Sequence, residues 1–403
     1  MTRKSLLVCM PDFPFPARKN GISIRYFPIL EHASKDFDIH LLVIANGHVE
    51  EEGIAEAEKF CTKVSIYVRK PHAVSLFTKL KARVKSLLPI GVPYNQLYFD
   101  ENEISKFITK ETNDKIYDTA LCVLITHQHL VKHLVKAKHY SLDVIDSPYS
   151  TSLRTCGKSL LKAYDALMVK CWERRAVNAV DYACYISPLD RKLGAGEHTN
   201  NDKIGVIPNG LYLTDFSNEK IDYGCKTVGY LGHMGYPPNI RAALRLYTIF
   251  KSCQQHLSNA KLLIIGRDPA PEIQQLGEDP QVIVTGTVDN IWTHINAADL
   301  FVFPMEIGSG QQNKLLEAMQ SGIPVISTAL GNSGIGATDG DEIIIANSND
   351  DISKKMALLM NNDALRKNIG EKGKSFVQGR YAWEPILEQI DRTLLTPQNQ
   401  GAL

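Results

Sequence analysis

The strongest constraint on this chain is a repeated alternation. Short, near-continuous runs of Val, Ile and Leu are separated by stretches with helical apolar spacing. The runs are residues 6–10, 39–44, 63–68, 119–124, 142–145, 182–185 and 203–206. A second series follows at 227–231, 260–265, 281–285, 300–303, 324–327 and 342–345. Runs that are apolar on both faces suit strands covered by helices on either side of a parallel sheet. Two such series in 403 residues predict an α/β chain of two doubly wound, Rossmann-like parallel-sheet domains. The boundary is expected near the turn-forming Pro208-Asn209-Gly210 or in the polar stretch just after it. That gives domains 1–212 and 213–381. Ligands of open α/β sheets bind outside the carboxyl ends of the strands, so the expected site is the cleft that the two domains face.

Composition narrows the partners. A formal net charge of +1 gives no overall attraction to nucleic acid. The first apolar run, 6–10, is too short for a signal sequence, and no segment approaches eighteen consecutive apolar residues. The eight cysteines are scattered without a Cys-x-x-Cys pair, which fits reduced thiols in the cytoplasm and argues against zinc. Asp36-Phe37-Asp38 and Asp339-Gly340-Asp341 are read as turns, and no metal is expected.

Chemistry concentrates in residues 308–327. Gly308-Ser309-Gly310-Gln311-Gln312-Asn313 runs into a helix carrying Lys314 and Glu317, and Gly322 ends it before a buried run. Free N–H groups and a partial positive charge at a helix start attract anions. Lys314 in the first turn is disfavoured there unless an anion binds. Such a loop suits a phosphorylated sugar. The other reading is an ordinary strand-loop-helix unit with a solvated lysine.

Three more loops follow apolar runs. Residues 229–239 hold Gly232, His233 and Gly235 before a helix expected near Asn239, without the spacing of a dinucleotide fingerprint. Gly266-Arg267 ends another run, where an arginine pairs with a phosphate or forms a rim salt bridge. In the first domain, residues 11–21 contain Asp12, Asn20 and Gly21, while His127 and Asp146 end later runs and can meet hydroxyl groups. Residues 76–88 are amphipathic and basic. This pattern lies on an anionic membrane or packs on the protein's own core.

These residues resemble the retaining family-4 glycosyltransferases of GT-B fold, and within them sugar transferases of exopolysaccharide gene clusters. The resemblance covers residues 11–21, 207–210, 232–239, 266–267, 297–304, 308–327 and 381–383. It implies a metal-independent hexosyltransferase that moves a sugar, with retention, from a nucleotide-sugar donor to a glycan or polyprenyl-linked acceptor in polysaccharide biosynthesis. It implies no cofactor beyond that donor. The closing helix, 382–397, is implied to return to the first domain. Donor contacts fall on Gly21, Gly232, His233, Arg267, Val288, Ser309, Gly310, Gln311, Gln312, Asn313, Lys314 and Glu317, with Glu317 on the ribose hydroxyls. Asn20 and Asp12 fall on the acceptor side, and Lys314, Asp146 and His127 are the catalytic candidates.

Two departures stand out. Ser309 occupies the place of the family's first motif glutamate. The family's Arg and Lys after the 227–231 run are replaced by His233 and the Pro237-Pro238 region. A sugar-nucleotide epimerase, or a non-catalytic subunit binding a partner or membrane, fits the same architecture. The expected location is the cytoplasm, with peripheral contact at the inner face of the membrane through residues 76–88.

Overall fold

A computed structural model describes residues 3–17, 21–69, 76–86, 101–157, 159–196, 202–212, 219–257, 259–307 and 310–396. The chain divides into two compact units, Met1–Asn209 with Trp383–Leu403, and Gly210–Ala382.

Among the described residues the first unit holds strands β1 (Lys4–Met10), β2 (Phe37–Ala45), β3 (Lys63–Val68), β4 (Ile116–Val123), β5 (Lys136–Ile145), β6 (Tyr182–Tyr185) and β7 (Ile204–Val206). They form one sheet in the order β3-β2-β1-β4-β5-β6-β7, and every pairing is parallel. The second unit holds β8 (Lys226–Leu231), β9 (Ala260–Ile265), β10 (Val282–Val284), β11 (Leu300–Phe303), β12 (Val325–Ser327) and β13 (Ile344–Ile345), in the order β10-β9-β8-β11-β12-β13, again parallel throughout. Each expected apolar run is a strand, and this is the doubly wound α/β architecture. The strand direction reverses its winding between β1 and β4 and between β8 and β11. These are the two switch points where such sheets bind ligands.

The apolar runs are buried within the cores of the two units. Leu7, Leu42, Ala120, Leu142 and Ala183 lie in one, and Val228, Leu262, Ile264, Val302 and Ile326 in the other. Helix starts follow ordinary capping chemistry. Ser147, Ser159, Ser187 and Ser348 each accept a backbone N–H from three residues on. The helix after β8 begins at Pro237, two residues before the expected Asn239, because both prolines fit the first helical turn, where no N–H partner is needed. Asp38 is not a turn residue. It lies within β2, paired with Arg3 at 2.9 Å. Asp339 does sit in a turn, accepting the Ile345 N–H at 2.7 Å.

The helix Trp383–Ile390 and the π-turn Asp391–Leu395 belong to the first unit. The Thr119 and Ser141 hydroxyls donate to the carbonyls of Leu395 and Leu394, both at 2.7 Å, and His32 pairs with Asp391 at 2.7 Å.

Candidate active site

In the second unit, three loops converge at the β8–β11 switch point. Gly232 follows β8, and its N–H donates to the Ile265 carbonyl at 3.0 Å. Gly266 follows β9 and presses on this loop. A Cβ at Gly266 would lie 1.7 Å from the Gly232 carbonyl oxygen, and its φ of +151° is one that side chains rarely adopt. The Met234 N–H then donates to the Arg267 carbonyl at 2.9 Å. The third loop leads into the helix Asn313–Gln320. Its first turn has no acidic residue, and the N-cap Gln312 makes no side-chain cap.

Lys314, on that helix, does not point into bulk water. Its Nζ donates to Asn239 Oδ1 at 2.7 Å and to Tyr230 Oη at 3.2 Å, and lies 3.3 Å from Met305 Sδ. The ammonium also sits 5.2 Å from the Tyr230 ring centroid. Asn239 in turn donates through Nδ2 to the His233 carbonyl at 3.0 Å. One asparagine thus joins the glycine loop after β8 to the lysine of the motif helix. Burial pulls the Lys314 ammonium down to about 7, opposed only by the Glu317 carboxylate. An anion beside it would restore the charge. Glu317 is half-buried on the same helix, one turn after Asn313.

His233 and Arg267 both face Asp268, at 3.1 and 3.7 Å, on an exposed rim. That carboxylate competes with any phosphate for the two side chains. Gly286 and Val288 follow β10 beside the β9 end, where the Gly266 N–H reaches Thr285 Oγ1 at 3.3 Å. Gly310 is held by Gly334, where a Cβ would meet its carbonyl oxygen at 2.0 Å. Ser309 lies outside the described residues, as does Asn20.

In the first unit the corresponding switch point lies between β1 and β4. Asp12 is exposed after β1 and accepts the Phe13 N–H at 2.8 Å, while Phe13 and Phe15 anchor the loop in an aromatic cluster with Phe27 and Phe60. Gly21 opens the next helix with free space where a Cβ would stand. His127 is buried, and its Nε2 faces the Arg69 guanidinium, which also donates to Asn46 Oδ1 at 3.3 Å. Burial, then Arg69 and His129, hold His127 down at about 3, so it is neutral near pH 7. As a neutral ring, Nε2 accepts and Nδ1–H donates.

Asp146 follows β5, where the backbone turns sharply: Ile145 has φ +62°, a genuine outlier for a β-branched residue. Burial and the neighbouring Asp190 raise Asp146 to about 6. Behind it lies a fully buried ion pair. Arg25 Nε donates to Asp143 Oδ2 at 2.6 Å, and Arg25 Nη1 donates to Asn209 Oδ1 at 2.9 Å. Tyr26 Oη also donates to Asp143 Oδ2, at 2.7 Å.

The roles of Asn239, Tyr230, Arg69 and the Arg25–Asp143 pair were not legible in the sequence. A signal for the last was a carboxylate, Asp143, inside the apolar run 142–145. The others lie on separate elements and have no local signature. Among the described residues no cluster of His, Cys, Asp and Glu has metal-binding geometry, and no helix is long and apolar enough to cross a membrane.

Residues 225–362, which carry the whole β8–β11 switch point, fit the family model for glycosyl transferases, group 1. The chain is 22% identical over 403 residues to an uncharacterized 44.6 kDa protein in the cps region of Klebsiella pneumoniae, covering 96% of this chain and 98% of the other. It is 26% identical over 234 residues to the capsular polysaccharide biosynthesis glycosyltransferase CapM of Staphylococcus aureus, covering 53% of this chain and 60% of that one. Among solved structures, sucrose-phosphate synthase from Thermosynechococcus elongatus superposes with TM-score 0.66 at 13% identity, over 97% of this chain and 98% of that one. HepE from Anabaena, solved with UDP and glucose, superposes with TM-score 0.64 at 13% identity, over 97% and 99%. With two parallel sheets of GT-B type and a group 1 match over residues 225–362 that carries the motif helix at the second switch point, the chain is a nucleotide-sugar glycosyltransferase of GT-B fold.

Proposed function

We propose that this enzyme transfers a hexose from a UDP-sugar to a glycan or polyprenyl-linked acceptor in capsule or exopolysaccharide synthesis, with retention of configuration. The observation that carries the reading is Lys314. It is a half-desolvated ammonium at an uncapped helix start, beside a glycine loop, at a switch point. The UDP reading is supported by HepE, which is solved with that nucleotide. The polysaccharide reading is supported by the cps-region protein and CapM.

In this reading the donor diphosphate lies against the N–H groups of the helix Asn313–Gln320 and the Lys314 ammonium. Glu317 takes the ribose hydroxyls, and the base lies by Arg267 and residues 286–288. As the sugar C1–O bond breaks, negative charge grows on the departing diphosphate. Preformed N–H groups and the ammonium stabilise that charge without a metal. The acceptor hydroxyl gives its proton to a donor phosphate oxygen, so no protein base is required. The acceptor is held by the first unit, by Asp12, Asn20, Asp146 and the Nδ1–H of His127, and is met at a membrane surface by residues 76–88.

The test is calorimetric binding of UDP, GDP and ADP, followed by transfer from the matching sugar nucleotides to a lipid-linked oligosaccharide extract. Tight binding of UDP with acceptor-dependent sugar transfer is expected. Binding of none of the three would leave a non-catalytic subunit. Conversion of the donor without acceptor would make the chain an epimerase.

A further inference from the structure

We propose that a composite face of the first unit docks on an anionic lipid bilayer. The face is built from the helices Leu76–Ser86 and Pro148–Thr155 and the start of Leu160–Asn178. It extends the membrane partner of residues 76–88 to a defined surface, and it rests on the membrane-held acceptor proposed above.

The first helix leaves its apolar stripe uncovered. Leu76, Leu80 and Val84 recur every four residues with Phe77 beside them, and all four are between 61% and 85% exposed. A helix packed on its own core hides such a stripe. Lys79 and Lys81 are exposed and flank the stripe on its two sides, and the helix contains no acidic residue. Arg83 donates to Asp165 at 2.6 Å, which sets this helix beside Leu160–Asn178. That helix presents its own apolar residues, Leu160 at 89% exposure with Leu161 and Leu167, and Leu153 is exposed on the neighbouring helix. Seven exposed large apolar side chains and an eighth at Leu153 thus belong to three helices joined by one ion pair and by packing.

Charge identifies the occupant. The face carries Lys79, Lys81, Arg83, Arg154 and Lys162, and its carboxylate Asp165 is already neutralised by Arg83. Between the helices Pro148–Thr155 and Leu160–Asn178 lies a cavity of about 270 Å³, lined by Ser152, Thr155, Cys156, Lys162, Asp165 and Ala166. An ammonium and a serine hydroxyl at its wall suit the phosphate of a lipid headgroup, while the leucines reach the acyl boundary. A second copy of the chain suits the face poorly, since a two-fold contact would set the same lysines against each other. Docking of this kind is peripheral, as among the described residues no helix is long and apolar enough to span.

The test is co-sedimentation of the full chain with vesicles of phosphatidylcholine alone or mixed with phosphatidylglycerol, in low and high salt. Binding to the mixed vesicles, lost on raising the salt, is expected. Lys79→Gln with Lys81→Gln should weaken it roughly thirtyfold, from the contribution of each basic residue near an anionic surface. Leu76→Gln with Leu80→Gln, and separately Leu160→Gln with Leu161→Gln, should each weaken it about tenfold or more. The second pair separates a composite face from a single helix. All these side chains are exposed, so melting temperature and UDP binding should stay at wild-type values. A transferase that fails to bind vesicles would thus be told apart from a chain that fails to bind UDP. Equal binding to neutral vesicles, no sedimentation, unchanged binding by the variants, or a concentration-dependent oligomer in place of vesicle binding would overturn the proposal.

Discussion

Lys314 donates to Asn239 Oδ1 at 2.7 Å, and Asn239 donates onward to the carbonyl of His233. The relationship joins the helix after β11 to the loop and helix that follow β8. It holds the ammonium in place before any ligand arrives, and preorganisation of this kind removes reorganisation from the chemical step.

Replacement of Lys314 should therefore separate affinity from stability. Lys314→Met is expected to weaken UDP binding by about tenfold to a hundredfold, the range of a charge-assisted hydrogen bond worth ~1.5–3 kcal/mol. It should not lower the urea midpoint, because the variant no longer buries an ammonium. Isothermal calorimetry and urea titration check the two halves.

The same lysine makes binding pH-dependent. Its folded value is lowered from 10.5 to about 7, so between those limits the unfolded chain holds a proton that the free enzyme does not. Its contribution to stability therefore rises as pH rises from about 7 toward 10.5, and the burial penalty is complete below about 7. A bound diphosphate should pull the proton back. Calorimetry at pH 8 in buffers of different ionisation enthalpy should show proton uptake on UDP binding in the wild type and little in Lys314→Met. Equal uptake in both would remove Lys314 from the diphosphate site.

Asp146→Asn should stabilise the protein and impair the enzyme. The carboxyl is raised from 3.8 to about 6, so the folded chain holds a proton in that window that the unfolded chain has lost. Its stability contribution is present below about 4 and is lost as pH rises through 6. At pH 7 the amide variant should gain about 3 kcal/mol in chemical denaturation, with a gain that vanishes by pH 4. Transfer to acceptor should fall while UDP binding stays unchanged.

Arg25→Ala leaves Asp143 as an uncompensated buried charge and should cost about 3–5 kcal/mol, read by urea denaturation. Arg25→Met combined with Asp143→Leu should recover most of that loss, because an apolar pair of similar volume needs no partner. If the double variant is as unstable as the single one, the ion pair is not the source of the penalty.

Gly266→Ala tests the contact between the two loops. The new Cβ would meet the Gly232 carbonyl at 1.7 Å, so one loop must move. A loss of about 3 kcal/mol in stability is expected from overpacking and backbone strain, together with weakened UDP binding. Gly21→Ala, where a Cβ meets open space, should change stability by less than about 1 kcal/mol.

The sheets were legible in the sequence because burial on both faces leaves an unbroken apolar run, as at residues 260–265 and 300–303. The motif helix was legible because glycine, lysine and glutamate fall at fixed offsets along one segment. What stayed hidden were partnerships between segments. Arg25 and Asp143 stand 118 positions apart, and Lys314 and Asn239 stand 75 apart. Nothing near Lys314 in the chain indicates that its ammonium turns inward to Tyr230 and Asn239. The helix Leu76–Ser86 shows the converse. Its pattern fits a covered core stripe as well as an exposed one, and only the fold shows Leu76 and Leu80 uncovered.

The hydroxyls of Thr119 and Ser141 find acceptors on Leu395 and Leu394. β4 and β5 thus take partners 276 and 253 positions further along the chain, with the whole second unit between them. The first unit is therefore sealed by residues that follow the second unit in the chain, and its sheet keeps an open seam until they are in place. Loss of Leu394 and Leu395 would injure the first unit rather than the second.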